Sequence, residues 1–408
     1  MIEIMSPVGS WESLAAALQG GAGSVYFGVQ GLNMRSASSV NFSLDDLAEI
    51  VSRCREAGVK SYLTLNTVLY DDDLQYMRSV MERAKQERVT AVIVSDQAAL
   101  NYAWELGLEI HLSTQLNISN IESVKFYSAF ADVVVLAREL NLHQVRSIYD
   151  QIRERNIRGP KGEYLRIEMF VHGALCMAVS GKCYLSLHEA WKSANRGSCR
   201  QICRRAYNVK DIETGAELVV DNKYIMSPKD LCTIDFLDKV LDAGVEVLKI
   251  EGRARGGDYV RTVTECYRKA ADAYQKGSYT LDFALELKER LRRVFNRDFW
   301  GGYYLGHSLG EWSRAYGSSA TRKKVYVGKV TNYFSNIGIA EVTVEASDLP
   351  AGSECLILGA TTGAIEFIAD EIRVDLKAVQ ATFQGERCSI ATPELVRRGD
   401  KLYKMVRS

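Results

Sequence analysis

Five of the chain's nine cysteines crowd one stretch, spaced Cys176-x6-Cys183-x15-Cys199-x3-Cys203-x28-Cys232. Thiolates are soft ligands that select zinc, copper(I) or iron–sulfur clusters. The spacing is neither the paired C-x2-C of a zinc ribbon nor the cysteine run of a bacterial ferredoxin. Spacing alone leaves two readings open, a metal site of unassigned identity or inert buried thiols. Cys54, Cys266, Cys355 and Cys388 fall on predicted helices or strands and read as core residues. The N-terminus, MIEIMSPVGS, has neither a basic nor an apolar leader segment, and no apolar run approaches the roughly 20 residues of a membrane span. A cytoplasmic, reducing setting is expected, where clustered cysteines bind metal or react rather than cross-link.

Lysine and arginine balance aspartate and glutamate at 51 each, so no global field draws the protein to nucleic acid or membrane. Such contact has to come from a local patch. Between Lys182 and Arg205 stand six basic residues against one acid, Glu189. With Arg200, Arg204 and Arg205 foremost, the patch suits RNA phosphates; as a solvated face, or as donors to metal-bound sulfur, it needs no RNA. Arg314, Arg322, Lys323 and Lys324 extend it further along the chain.

Peptidase chemistry finds little purchase. His188-Glu189 begins an H-E-x-x-H, but Lys192 stands where the second histidine belongs. Gly306–Gly310 matches G-x-S-x-G without the strand–turn–helix context of a nucleophile elbow. Cys176 and His172 are four residues apart in one segment, which does not establish a dyad.

The elements that must position these residues alternate. Strands are expected at Ile2–Met5, Ser24–Phe27, Lys60–Leu65, Ala91–Val94, Leu108–Leu112, Asp132–Leu136, Leu165–Val171 and Glu246–Ile250, with amphipathic helices between them. One helix is expected over Leu44–Ala57, capped by Ser43 and stopped by Gly58; others run over Tyr259–Lys276 and Leu281–Phe295. Eight β/α units without a G-x-G-x-x-G favour a TIM-type (β/α)8 barrel over a dinucleotide-binding sheet. Chemistry then belongs at the C-terminal strand ends. Those ends read Asn66, Asp96, Ser113-Thr114-Gln115, Arg138-Glu139, His172 and Glu251-Gly252-Arg253. His172, Glu251, Arg253 and Gln115 are the candidate catalytic residues. Arg253 and Arg138 suit a dicarboxylate clamp, or pair with Glu139 and Glu251 as structure. Gln115, Asn66 and Tyr26 are candidate substrate-reading groups, and His172 a proton carrier, a supporting donor or a barrel histidine.

From Gly173 to about Met226 the rhythm breaks in a long insertion that holds four of the clustered cysteines. The barrel with its insertion, about 173–232, is expected over 1–312. After a Ser/Gly/basic linker, Ser313–Lys324, short β runs with turn signals predict a C-terminal β-barrel domain over 325–408.

The stretch EMFVHGALCMAVSGKCYLS at Glu168–Ser186 resembles the signature of the peptidase U32 family. RGSCRQICRRAY at Arg196–Tyr207, SPKDLC at Ser227–Cys232, LKIEGR at Leu248–Arg253 and FNRDFWGG at Phe295–Gly302 agree with it, as do SPVGS, YFG and NFS near the start. The likeness covers essentially the whole chain. It implies a [4Fe–4S] cluster on Cys176, Cys183, Cys199 and Cys232, leaving Cys203 as a fifth thiol to be left out. It also implies oxygen-independent hydroxylation, and length and C-terminal module look most like the tRNA-hydroxylating branch. Wobble-position 5-hydroxyuridine is then the expected product, with tRNA as partner and prephenate as the small-molecule dicarboxylate. Hydroxylation of ribosomal RNA or a quinone precursor, a peptidase, or a subunit needing a redox or other partner protein are the alternatives.

Overall fold

The computed structural model describes residues 2–179, 182–208, 212–214, 226–306, 310–314 and 317–408. Eight parallel strands close a barrel: β1 (Glu3–Pro7), β2 (Ser24–Phe27), β3 (Lys60–Leu65), β4 (Ala91–Val94), β5 (Glu109–Leu112), β6 (Val133–Val135), β7 (Arg166–Gly173) and β9 (Val245–Ile250). Each pairs with the next, β7 pairs with β9, and β9 returns to β1. All eight expected strands are present, three with both ends as expected and the others shifted by one or two residues. Between β7 and β9 a short β8 (Asp230–Cys232) runs antiparallel to the end of β7 and carries β10 (Phe299–Trp300) on its far side.

Helices α1 (Trp11–Gln19), α2 (Leu47–Glu56), α3 (Leu74–Gln86), α4 (Gln97–Glu105), α5 (Ile121–Tyr127) and α6 (Leu142–Glu154) cover the outside. α7 (Leu185–Ala190) lies in the insertion, and α8 (Leu237–Asp242), α9 (Gly257–Gln275) and α10 (Leu281–Leu291) follow β8 and β9. Helix α2 begins three residues later than expected. Ser43 caps a turn rather than the helix, giving its N–H and Oγ to Asp46 Oδ2 at 2.7 and 2.8 Å. Gly58, at φ +68°, takes the left-handed position that stops the helix.

The barrel interior differs from its apolar outer layer. Met5, Tyr26, Tyr62, Ala91, Ile93, Val133 and Val247 form a small inner core. Buried among the strands are two polar links: Glu3 with Tyr62 at 2.7 Å, and His111–Glu168–Lys249 at 2.9 and 2.5 Å.

The C-terminal domain is an antiparallel sheet of β11 (Arg322–Phe334), β12 (Ile339–Val344), β14 (Ser353–Gly359), β15 (Gly363–Ala369), β16 (Ile372–Val374), β17 (Lys377–Val379), β19 (Arg387–Ala391) and β20 (Lys401–Arg407), with β13 (Leu349–Pro350) paired to β18 (Ala381–Thr382). The hydrogen-bonded order runs from β15 at one end to β17 at the other. Residues of both ends and the centre, among them Ile365, Val327 and Ile372, share one apolar core, so the sheet curls over itself. The outer side of β14 and β15 docks on the barrel: Gln19 Nε2 donates to Thr362 O at 2.7 Å, and Lys324 meets Asp258 at 2.9 Å.

The expected linker is not a free tether. Ser313 N–H donates to Ser227 O, Ser319 N–H to Asn296 O and Thr321 N–H to Arg292 O, and β11 already starts at Arg322. Its Ser/Gly composition resembled a linker, but three of its described amides are bonded to barrel carbonyls. Among the described residues no helix is long and apolar enough to cross a membrane.

Candidate active site at the barrel mouth

A cavity of about 550 Å³ opens at the C-terminal ends of the strands. Its floor carries Tyr26, Thr64 and Lys249, all borne by barrel strands. Glu251, Arg253 and Arg255, just beyond β9, and Arg138, beyond β6, form much of its wall. The opposite wall is the insertion, which presents Cys176, Cys199, Cys203 and Arg204. Seven cationic side chains and two carboxylates line it, a balance that suits an anionic occupant.

Each cation is held differently. Arg35, from the long loop after β2, gives Nε and Nη2 to Glu251 Oε1 at 3.2 and 2.6 Å. Burial alone would raise the Glu251 carboxyl, but Arg35, with Arg138 and Arg253 behind it, holds it at about 2. Arg253 donates Nη1 to Asn33 Oδ1 at 3.0 Å and to Thr64 Oγ1 at 2.8 Å, and burial lowers it to about 10. Only glycine fits at Gly28, where a Cβ would stand 2.7 Å from Arg253 Nη1. Lys249 is tied to Glu168. Arg138 stacks 3.8 Å over the Phe170 ring and donates Nη1 to Ala174 O, while its buried Nε has no partner.

Gln115 and Asn66 face the cavity together: Ser113 Oγ donates to Gln115 Oε1, and Asn66 Nδ2 lies 3.2 Å from Ser113 Oγ. Glu139 also lines it. Asp96 does not. It caps α4, accepting from Ala98 N–H, and takes a second bond from Leu69 N–H.

His172 departs from its expected place at the site. A register shift in β7 between Phe170 and His172 breaks the alternation that would aim it inward. It lies instead among Tyr259, Tyr267 and Phe299, and burial pushes its imidazole down to about 3. A neutral, aromatic-packed ring is a structural element here.

The thiols also divide differently from expectation. Cys176, Cys199 and Cys203 line the cavity together, and Cys183 stands in the same insertion. Cys232 is paired by backbone to His172, lies 3.9 Å from Tyr267 Oη and is pushed up to about 11 by burial. It is buried in the apolar layer and does not line the cavity. The antiparallel turn of β8 against β7, absent from any strand count, sends it there. The insertion itself is pinned by Asn195 Oδ1, which accepts from Cys183 N–H at 3.1 Å, and by Gly197. At φ +78°, a Cβ on Gly197 would fall 2.2 Å from Asn33 O. Gln201 N–H points at Cys199 Sγ at 3.4 Å. Among the described residues no three His, Cys, Asp or Glu side chains converge closely enough to share one metal ion.

The expected phosphate-binding arginines split as well. Arg204 is turned inward, donating to Ser227 Oγ, Pro228 O and Leu175 O at 3.0, 2.5 and 2.7 Å, so it clamps the insertion. Arg205 is exposed and paired with Glu189. Arg200 is exposed with no side-chain partner among the described residues. The Gly306–Gly310 match has its central residues, His307 to Leu309, outside the described residues.

Sequence reasoning missed Arg35, Lys249, Arg255 and Arg297 on the cavity wall. Lys249 and Arg255 were within reach, since both flank the Glu251–Arg253 motif; nothing marked Arg35.

The profile of peptidase family U32 matches residues 9–314. The chain is 59% identical over 402 residues to a protein of Porphyromonas gingivalis named "Collagenase", covering 98% of this chain and 97% of that one. It is 32% identical over 396 residues to the "tRNA hydroxylation protein P1" of Bacillus subtilis, covering 94% and 90%. Over 276 residues it is 38% identical to the "23S rRNA 5-hydroxycytidine C2501 synthase" of Escherichia coli, covering 67% of this chain and 39% of that one. With three quarters of its length inside the family profile and relatives matched nearly end to end, the chain belongs to peptidase family U32.

Proposed function

We propose that the protein is an RNA-modifying enzyme that hydroxylates a pyrimidine without molecular oxygen, with uridine at the tRNA wobble position as its substrate. The observation that carries this is the cavity itself, cationic, at the strand ends, and walled on one side by several thiols with no histidine beside them among the described residues. Relatives named for tRNA hydroxylation and for 5-hydroxycytidine synthesis support the same reaction class.

Replacing a ring C–H by C–OH is a two-electron oxidation outside the reach of ordinary side chains. A [4Fe–4S] cluster would supply redox and Lewis-acid chemistry, and the donors fit one. Three soft thiols, on Cys176, Cys199 and Cys203, line one wall, Cys183 belongs to the same insertion, and an amide already points at Cys199 Sγ. Thiolates on separate irons of a cubane stand further apart than ligands of a single ion, so the loose grouping is compatible with it. Cys203 takes the fourth place in this reading and Cys232 is a core residue. The protein's own groups have separate tasks. Arg138 and Arg255 present guanidinium to a carboxylate, prephenate being the proposed co-substrate. Gln115 and Asn66 offer amide groups that read a base edge. Glu168, behind the floor, fixes the Lys249 ammonium in place.

A cysteine peptidase of the Cys–His type, one reading of the Porphyromonas relative's name, needs a histidine beside its thiol. None of the four described histidines lines the cavity. Two measurements test the proposal. Anaerobically purified protein should show broad visible charge-transfer absorbance, lost in Cys203→Ala and kept in Cys232→Ala. Mass spectrometry of tRNA nucleosides should show 5-hydroxyuridine derivatives falling when the gene is deleted. Collagen cleavage by metal-free protein with unchanged nucleosides would overturn the reading.

A further inference from the structure

Trp191 stands 89% exposed, at the end of α7, with φ +53°. The left-handed region is where a helix end ordinarily places glycine, and a bulky side chain there is strained. The fold therefore holds a large apolar ring in water on a backbone that disfavours it. The backbone turn is supported by Trp191 N–H on Leu187 O and Lys192 N–H on Ser186 O, but the exposed ring has no aromatic or cation partner among the described residues. At the other end of the same helix Tyr184 is 74% exposed. Helix α7 sits between Cys183 and Cys199 and is bonded to the cavity wall, because Ser186 Oγ accepts from Arg200 N–H at 2.9 Å. In the same stretch of chain as the two rings, Lys182, Lys192 and Arg200 are exposed and have no ion-pair partner among the described residues. The other basic residues of this stretch are spent, Arg196 on Asp73, Arg204 on backbone carbonyls and Arg205 on Glu189.

Exposed aromatic faces interleaved with unpaired cations are the components of a single-strand nucleic-acid platform: bases stack on the rings and phosphates meet the cations. We propose that Trp191 stacks a base of the RNA strand next to the reacting nucleotide, with Lys192 on the adjoining phosphate and Tyr184 at the far end of the helix. This rests on the RNA-modifying reading and names how the strand is held outside the cavity. The strain at Trp191 is then retained for binding.

The test uses the full-length protein with a short unstructured oligouridylate and its abasic ribose-phosphate counterpart. Trp191→Gly relaxes the backbone, so its melting temperature should match or exceed wild type while affinity for oligouridylate falls about tenfold. Trp191→Phe should stay within about threefold of wild type, since it keeps a ring face. Affinity for the abasic strand should be the same in all three proteins, and Lys192→Gln should flatten the salt dependence. If Trp191→Gly binds oligouridylate as wild type does, the platform is overturned while the RNA reading stands. If wild type binds neither oligouridylate nor a tRNA transcript, the RNA reading falls and the platform with it.

Discussion

In the barrel wall the helix-facing side chains are mostly apolar and buried, and the buried charges sit in paired clusters, His111–Glu168–Lys249 and Glu3 with Lys60 and Arg166. The insertion between β7 and β8 is built the other way. Among its described residues it buries few large apolar groups, chiefly Leu175 and Ile202, and leaves Met177, Val179, Tyr184 and Trp191 exposed. What holds it are discrete polar pins: Arg204 on three acceptors, Arg196 on Asp73 and Asn195 on Cys183. Apolar burial is non-directional and cooperative, whereas a few hydrogen bonds fix a loop locally without adding much global stability. The rigid part presents the substrate groups and the pinned part presents the thiols.

The largest expected effect is in the barrel. Lys249→Met leaves the Glu168 carboxylate buried beside only a histidine and should cost about 3–5 kcal/mol in urea unfolding. A loss under about 1 kcal/mol would break the contrast, since removal of one partner of a buried pair carries such a cost. His172 gives a pH signature. Its folded pKa of about 3 lies below the unfolded value, so the unfolded chain takes up a proton that the folded chain refuses. Stability is then full above about pH 6.5 and falls by about 1.4 kcal/mol per pH unit as pH drops toward 3. His172→Phe should flatten that slope in denaturation curves measured across the range.

Smaller and more local is Arg204→Ala. It frees three acceptors of the insertion, so limited proteolysis should cut between residues 174 and 229 while the barrel's unfolding midpoint moves little. A global loss equal to that of Lys249→Met would show that the insertion is part of the barrel's cooperative unit. Least of all, Arg205→Ala removes an exposed pair with Glu189 and should shift stability by under about 1 kcal/mol.

The sequence by itself determined the barrel. Alternating β-branched runs and amphipathic helices specify β/α units because the periods of 2 and 3.6 are dictated by backbone geometry. It also determined the neighbourhood of the site, since Glu251, Arg253 and Gln115 lie at strand ends whichever way the details fall. Only tertiary structure decided which of those neighbours meet. Whether His172 faces the cavity depends on one bulge in β7, and whether Cys232 or Cys203 joins the other thiols depends on the antiparallel turn of β8. Arg35 reaches Glu251 across 216 residues of chain. Such choices are made by packing between distant segments, and local periodicity carries no record of them.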